Sequence, residues 1–501
     1  MQIRQNSRSA HFPLKGVVGA LLVLMLFFVI FTASQFPYTY ITMEGDDFWV
    51  LTKDFWQLKL GMLPAFTSWL ADFLMQFYRS PYIAATIQAM ILGMIGVLAA
   101  SSIRLLQREK MAWLSWLGLL PSILLGYFCT FNLSFQLQCL FFFGLLNIFL
   151  LIPNTRGKFL FSIACVPVGF LLMRTPMLGL LLIIQYIIIC LSDKYHIIWN
   201  CTLILWMVTP LAYSQQVAFI PFEKRYMEWG TYFEPLTSRQ NQDSERIKKC
   251  VCLANEGRWG DLLYKEQIRH EAQRGKAASL RYALLAESAL GTLPENLWDY
   301  PIQDENQFLY PHQTEYVASQ FNRLFYLNLN IYDEAFHHAE EYGLLQQNGV
   351  CFSSLRQMTD YSIEEGDFEI AEKYLNVLSR SSCHKAFVKE RRKNLANRKS
   401  ANHQTKPVPL RADNFVGGFP LPIEMLRLAR YYQDPSQRKK MVDYAICSYI
   451  LRNDANSFMI ATKAFDVYKE KELPKAYRQF LERYSSTAST ASSVSNPLER
   501  R

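Results

Sequence analysis

Charge and hydropathy along this chain divide it into long uncharged runs and short charged breaks. No charged residue stands between Lys15 and Glu44, or between Arg79 and Arg104. The uncharged run from Lys110 to Arg156 is about twice the ~20 residues that one bilayer crossing needs. It therefore reads as two spans turning near "CTFNLSFQ", Cys129 to Gln136. Further runs lie between Lys158 and Arg174, Arg174 and Asp193, and Lys194 and Glu223, which brings the predicted spans to seven. The fifth is the weakest, short and with Pro167 and Gly169 inside it.

Between the first two spans the pattern changes period. Phe66, Trp69, Leu70, Phe73, Leu74 and Phe77 recur at helical spacing, with Ser68, Asp72, Gln76 and Arg79 on the opposite side. That pattern predicts a helix lying in the membrane interface. A similar, less regular piece, "FWVLTKDFWQLKLGML", precedes it, and Pro64 separates the two. Residues 46–79 are thus expected to form two short interfacial helices.

From Val217 onward, helical segments alternate with short polar breaks. "NIYDEAFHHAEEYGLL", "GDFEIAEKYLNVL" and "ELPKAYRQFLERY" each place a small residue, Ala335, Ala371 or Ala476, where two helices would meet closely. Each follows a plausible partner helix, "FNRLFYLNL", "SLRQMTDYSIEEG" and "SFMIATKAFDVYKEKE". "NEGRWGDLLYKEQI" looks like an earlier, degenerate unit. The first two alanines are 36 residues apart, near the ~34 of a tetratricopeptide array. The expected fold is all-α: a transmembrane domain over 1–216, a helical-repeat solenoid resembling tetratricopeptide repeats over 217–484, and a disordered Ser/Thr-rich tail over 485–501. The Pro- and Gly-containing stretch from Asn397 to Pro422 reads as an extended loop inside the array.

Charge sharpens this division. Residues 1–216 hold 13 of the 52 Lys and Arg and 7 of the 43 Asp and Glu, so the remainder has ordinary soluble composition. The net charge of +9 is spread over both parts, which argues against a nucleic-acid partner. With the N-terminus inside, the inner loops carry Arg4, Arg8, Lys15, Arg104, Arg108, Lys110, Arg156, Lys158 and Lys194. The outer loops carry only Lys53, Lys59, Arg79 and Arg174. The bias predicts a cytoplasmic N-terminus, and an odd span count places the repeats outside, in the periplasm of a bacterial inner-membrane protein. The first span reads as an anchor, although "FTASQ" offers the small residues of a signal cleavage site. Five cysteines in the outer part cannot all pair with one another, and "CVC" at 250–252 lacks a second pair at zinc spacing. They read as structural thiols.

The chemistry-bearing candidates lie at the outer face. "TMEGDDFW" (Thr42 to Trp49) puts Glu44, Asp46 and Asp47 just past the first span. Asp46 or Asp47 either caps the next helix or projects into a cavity as a general base or ligand of a divalent cation. Arg174 either snorkels to lipid headgroups or clamps a phosphate. Asn132, Gln136 and Gln138 edge the hairpin between the third and fourth spans. Walker, G-x-S-x-G, H-E-x-x-H and dinucleotide motifs are absent from the sequence. The "EGDD" run, the interfacial helices, the span count and the outer repeats resemble the membrane-embedded GT-C glycosyltransferases. That resemblance implies a polyprenyl-phosphate-linked sugar donor, catalysis by Asp46 or Asp47, and substrate contacts from Glu44 and Arg174. The whole chain also resembles a bacterial family of polytopic membrane proteins with outer tetratricopeptide-like repeats. The alternative to an enzyme is a membrane-anchored scaffold whose repeats bind a periplasmic protein or glycan. A transporter is disfavoured, because the spans are almost free of ionisable groups.

Overall fold

The computed structural model describes residues 12–61, 64–107, 112–190, 202, 204–209, 233–310, 315–402, 421–467 and 473–494. These are helical throughout, with no strand among them. The chain divides into two compact units, Met1–Glu245 with Arg380–Cys383, and Arg246–Ser379 with His384–Arg501.

In the first unit the helices are α1 (Phe12–Gln35), α2 (Pro37–Gly45), α3 (Lys53–Leu60), α4 (Ala65–Met75), α5 (Pro81–Gln107), α6 (Leu119–Phe128), α7 (Leu133–Leu151), α8 (Thr155–Leu172) and α9 (Thr175–Cys190). Four stretches are long and apolar enough to cross a membrane: Gly16–Gln35, Pro81–Leu106, Leu133–Leu151 and Thr155–Leu172. Trp113–Phe128 and Thr175–Ile189 are apolar but shorter. The hairpin expected near Cys129 is formed, with Asn132 capping α7 through the Phe135 N–H (2.9 Å). The predicted fifth span is one of the four long helices, and Pro167 lies inside it. Most of the predicted seventh span lies outside the described residues. On α1 the side chains of Leu22, Val23, Leu26, Phe27 and Ile30 are largely exposed. Such a surface is unfavourable against water and suited to lipid. The chain is therefore a helical, multi-pass membrane protein.

The second unit is built on α10 (Arg239–Asn255), which the unit boundary crosses. It continues through α11 (Ile268–Gln273), α12 (Ala277–Leu290), α13 (Leu293–Asn296), α14 (Tyr316–Asn328), α15 (Tyr332–Leu344), α16 (Phe352–Glu365), α17 (Phe368–Leu378) and α18 (Lys385–Asn402). It closes with α19 (Leu421–Ala429), α20 (Pro435–Leu451), α21 (Ala455–Ala464) and α22 (Lys475–Val494). Each helix from α14 to α18 packs on the next. Ala335, Ala371 and Ala476 are all fully buried. The turn between α16 and α17 uses Gly366 at φ 91°, where a Cβ would be strained, and the Gly366 and Asp367 N–H groups both reach the Ser362 carbonyl.

Two expectations differ. The unit read from "NEGRWGDLLYKEQI" contains a π-turn at Asp261–Lys265 rather than a regular hairpin helix. The last helix runs on to Val494, into the stretch read as a disordered tail. Extending an established helix costs far less than nucleating one, and "SSTASTASSV" contains neither Gly nor Pro. Arg323, with no exposed surface, ties three helices together. Its guanidinium donates to the Tyr361 hydroxyl on α16 (2.7 Å), to Asn255 Oδ1 on α10 (2.8 Å) and to Gln320 Oε1 on α14 (3.1 Å).

Candidate functional site

The site begins with the way α2 is held. Pro37 opens the helix, and Phe36 before it has no side chain that could cap it. The carboxylate of Glu245 supplies the cap from far along the chain. It accepts from the Tyr38 N–H (2.7 Å), the Thr39 N–H (2.8 Å) and the Thr39 hydroxyl (2.6 Å). The N-terminus of α2 is the favourable end for this charge. The other end of α2 delivers the acidic run: Glu44 lies in the last turn and Asp46 is the C-cap. An acid at a helix C-terminus is on the unfavourable side of the macrodipole. The capping reading of Asp46 and Asp47 thus fails, since Thr52 caps α3 instead, its hydroxyl accepting from the Phe55 N–H (3.3 Å).

Asp47 is 5% exposed, and it faces an ion pair that the sequence reading did not pick out. Lys59, at the C-terminal end of α3, has no exposed surface. Its ammonium pairs with Asp72 on α4 and donates to Ser68 Oγ (3.1 Å). It also lies over the Phe55 ring, 5.4 Å from the centroid. Burial is the main force on the Asp47 carboxyl, and the negative charge of Asp72 adds to it. Together they push its pKa well above the ordinary carboxylate range, against the opposing pull of Lys59 and the Phe48 N–H.

The helix that carries Asp72 is turned the other way from a surface helix. Thr67, Ser68, Asp72 and Gln76 are all under 5% exposed, whereas Phe66, Trp69, Leu70, Phe73 and Leu74 are only half-buried and Phe77 is exposed. An interfacial helix facing water would bury the second set and expose the first. Here the polar stripe turns inward, as it does where the surroundings are lipid. The helix packs on α7 and α8, with Phe66 edge-on to Phe141 (5.8 Å). Three polar atoms of this region, Trp49 Nε1, Thr67 Oγ1 and Gln76 Nε2, are buried without a hydrogen-bond partner among the described residues. Such atoms are costly in a dry core.

Arg174 is half-buried between α8 and α9. Its N–H donates to Gln138 Oε1 (3.0 Å), and its carbonyl accepts from the Leu178 N–H (3.0 Å). Gln136 Nε2 bonds the Cys129 and Thr130 carbonyls, both at 3.0 Å. These glutamines hold the backbone of the hairpin and of the α8–α9 turn. The structure thus gathers Asp47, Lys59 and Asp72 with Asp46 adjacent. Lys59 and Asp72 were legible as charges but not as partners. The available signal was the i, i+4, i+8 stripe Ser68, Asp72, Gln76 beside a membrane.

No group of three or more His, Cys, Asp or Glu among the described residues could hold a metal ion. Cys250 of the "CVC" pair is buried, and burial pushes its thiol up to about 12, far from a reactive thiolate.

A family of unknown function, DUF6057, matches residues 12–495. The chain belongs to that family. No curated protein and no solved structure matches it. The DUF6057 match extends across both units, so the membrane helices and the helical array belong to one family architecture.

Proposed function

We propose that this DUF6057 protein is a membrane-embedded transferase of GT-C type. In this reading it works on the outer membrane face with a sugar donor linked to a lipid phosphate. The observation that carries the reading is the burial of Asp47 beside the Lys59–Asp72 pair, on the loop that follows the first span. Buried ion pairs rarely add net stability, and a carboxyl shifted by burial and a neighbouring charge is the kind found at functional sites. Transfer would join an acceptor oxygen to the anomeric carbon and break the bond to the lipid phosphate. A base must take the acceptor proton. Asp47, its pKa raised by burial, would, once ionised, hold the acceptor proton more tightly than an exposed aspartate. Asp72, paired with Lys59, adds a second carboxyl beside Asp47. Glu44 and Arg174 are the substrate-contacting candidates, with Arg174 for the donor phosphate. The alternative role for Asp46 or Asp47 is as ligand of a divalent cation, although the described residues bring no third acidic, His or Cys ligand to them. The N-terminus is assigned to the cytoplasm, and the second unit, taken as a tetratricopeptide-like array, to the periplasm.

The test is transfer from a polyprenyl-phosphate sugar in proteoliposomes. Asp47→Asn should lose transfer at wild-type expression. Full transfer by the Asp46→Asn/Asp47→Asn double variant would remove both from the mechanism.

A second reading, a scaffold without catalysis, is favoured by a groove of about 520 Å³ between α16 and α18. Asp360, Glu364, Arg391, Asn394 and Arg398 line it. Its charges are matched, Arg391 to Asp360 (2.7 Å) and Arg398 to Glu364 (2.6 Å). A lining of paired donors and acceptors suits a neutral polar guest, such as a glycan or a peptide backbone. Cross-linking from Asn394 should then recover a defined partner.

A further inference from the structure

Helix α18 carries more positive charge than its packing uses. Arg391 pairs with Asp360 (2.7 Å), Arg392 with Glu372 (3.3 Å) and Asn376 (2.6 Å), and Arg398 with Glu364 (2.6 Å). Lys399 lies 5.9 Å from the centre of the Phe368 ring. These groups look toward α16 and α17. Lys385, Lys389 and Lys393 are different. All three are exposed, and none has an ion pair, hydrogen bond or ring contact among the described residues. Their spacing of four places them in one row along the helix, about 12 Å from first to last. Like charges one turn apart repel, so the row works against the helix that carries it.

The start of α18 indicates what meets this row. The segment just before it, Arg380–Cys383, belongs to the membrane unit. There the Arg79 guanidinium donates to the Cys383 carbonyl (2.5 Å). Arg79 stands two residues before Pro81, where the apolar stretch of α5 begins. Cys383 is therefore held at the level where a span meets the headgroups. Lys385 follows two residues later, within about 8 Å by chain length alone. That distance is comparable to the screening length at physiological salt, so anionic headgroups would be felt at Lys385, where the row starts.

We propose that Lys385, Lys389 and Lys393 form a docking face for anionic phospholipid headgroups. The function is independent of the transferase reading, since it needs only the multi-pass membrane character and the charge row. It fits the general behaviour of basic rows close to a span, which gather acidic lipid.

The test uses the full chain in nanodiscs of phosphatidylcholine alone and of phosphatidylcholine with phosphatidylglycerol. Labelling by a water-soluble amine reagent is read at each lysine by mass spectrometry, with exposed Lys463 as internal control. Labelling of Lys385, Lys389 and Lys393 should fall several-fold in the anionic discs and recover in high salt, while Lys463 stays constant. The triple variant Lys385→Gln/Lys389→Gln/Lys393→Gln should retain less phosphatidylglycerol per protein through purification than the wild type. Equal labelling in the two lipid compositions would overturn the proposal. Protection by soluble polyphosphate in phosphatidylcholine discs, as strong as that by phosphatidylglycerol, would also overturn it, by assigning the face to a soluble polyanion.

Discussion

At the scale of single residues, the buried Lys59–Asp72 pair makes an unusual energetic prediction. Removing Lys59 leaves the enclosed Asp72 carboxyl without its partner, so Lys59→Met should cost about 3–5 kcal/mol. Removing both charges, in Lys59→Met/Asp72→Asn, leaves neither desolvated ion uncompensated. The double variant should therefore be more stable than Lys59→Met alone, a non-additivity that thermal unfolding in detergent would read directly. Equal losses in the single and double variants would mean that the pair is not buried as described. Asp47 gives the opposite expectation. Its burial, with Asp72 beside it, already favours the neutral carboxyl. Asp47→Asn should therefore leave stability nearly unchanged or raise it, even though the proposed chemistry would be lost. That split between stability and activity separates a base from a structural carboxylate.

At the scale of elements, the α16–α17 turn shows how local sequence and charge combine. Glu365 ends α16, and burial with Asp333 close by pushes its pKa up to about 8. The folded state thus binds this proton more tightly than the unfolded chain, whose value is near the ordinary 4.5. Stability from this group is full below the unfolded value and declines as pH rises from there through about 8. Glu365→Gln should flatten that part of the Tm–pH curve, and an unchanged slope would exclude the residue as its source. The same region was well legible in the sequence. Ala335 and Ala371 marked the close helix contacts, and Ala371→Leu should overpack its site by about 1–3 kcal/mol in an unfolding titration. The interfacial helix was legible in period but not in direction. The alternation of Trp69 and Phe73 with Ser68 and Asp72 fixes two faces of α4, but periodicity does not say whether the medium outside is water or lipid. Glu245 capping α2 was not legible at all, because the two groups are brought together by the fold over a separation of more than 200 residues. The capping motif was read locally at Asp46, where the structure instead has a helix end.

At the scale of the whole molecule, one segment decides on which side of the membrane the second unit lies. Six apolar helical stretches are described, four of them long enough to cross unaided. The charge bias over the short loops, nine Lys and Arg against four, favours an N-terminus inside. The side of the repeats then depends on parity. If all six described stretches cross and residues between Lys194 and Glu223 cross as well, the helices from α11 onward are outside, where the proposed acceptor would be met. If that segment lies along the surface, the even count would put them inside with the N-terminus, an arrangement that the Arg79–Cys383 hydrogen bond at the end of the first loop opposes. Alkaline phosphatase, active only outside the cytoplasm, reads this directly when fused after Arg104 and after Tyr484. The seven-span arrangement requires an inactive fusion at Arg104 and an active one at Tyr484. Two inactive fusions would establish an even count and overturn the seven-span arrangement, and the opposite pattern would reverse the charge-based orientation. An outer array combined with loss of transfer in Asp47→Asn would place donor site and helical array on one face, as a transferase using a lipid-linked donor requires.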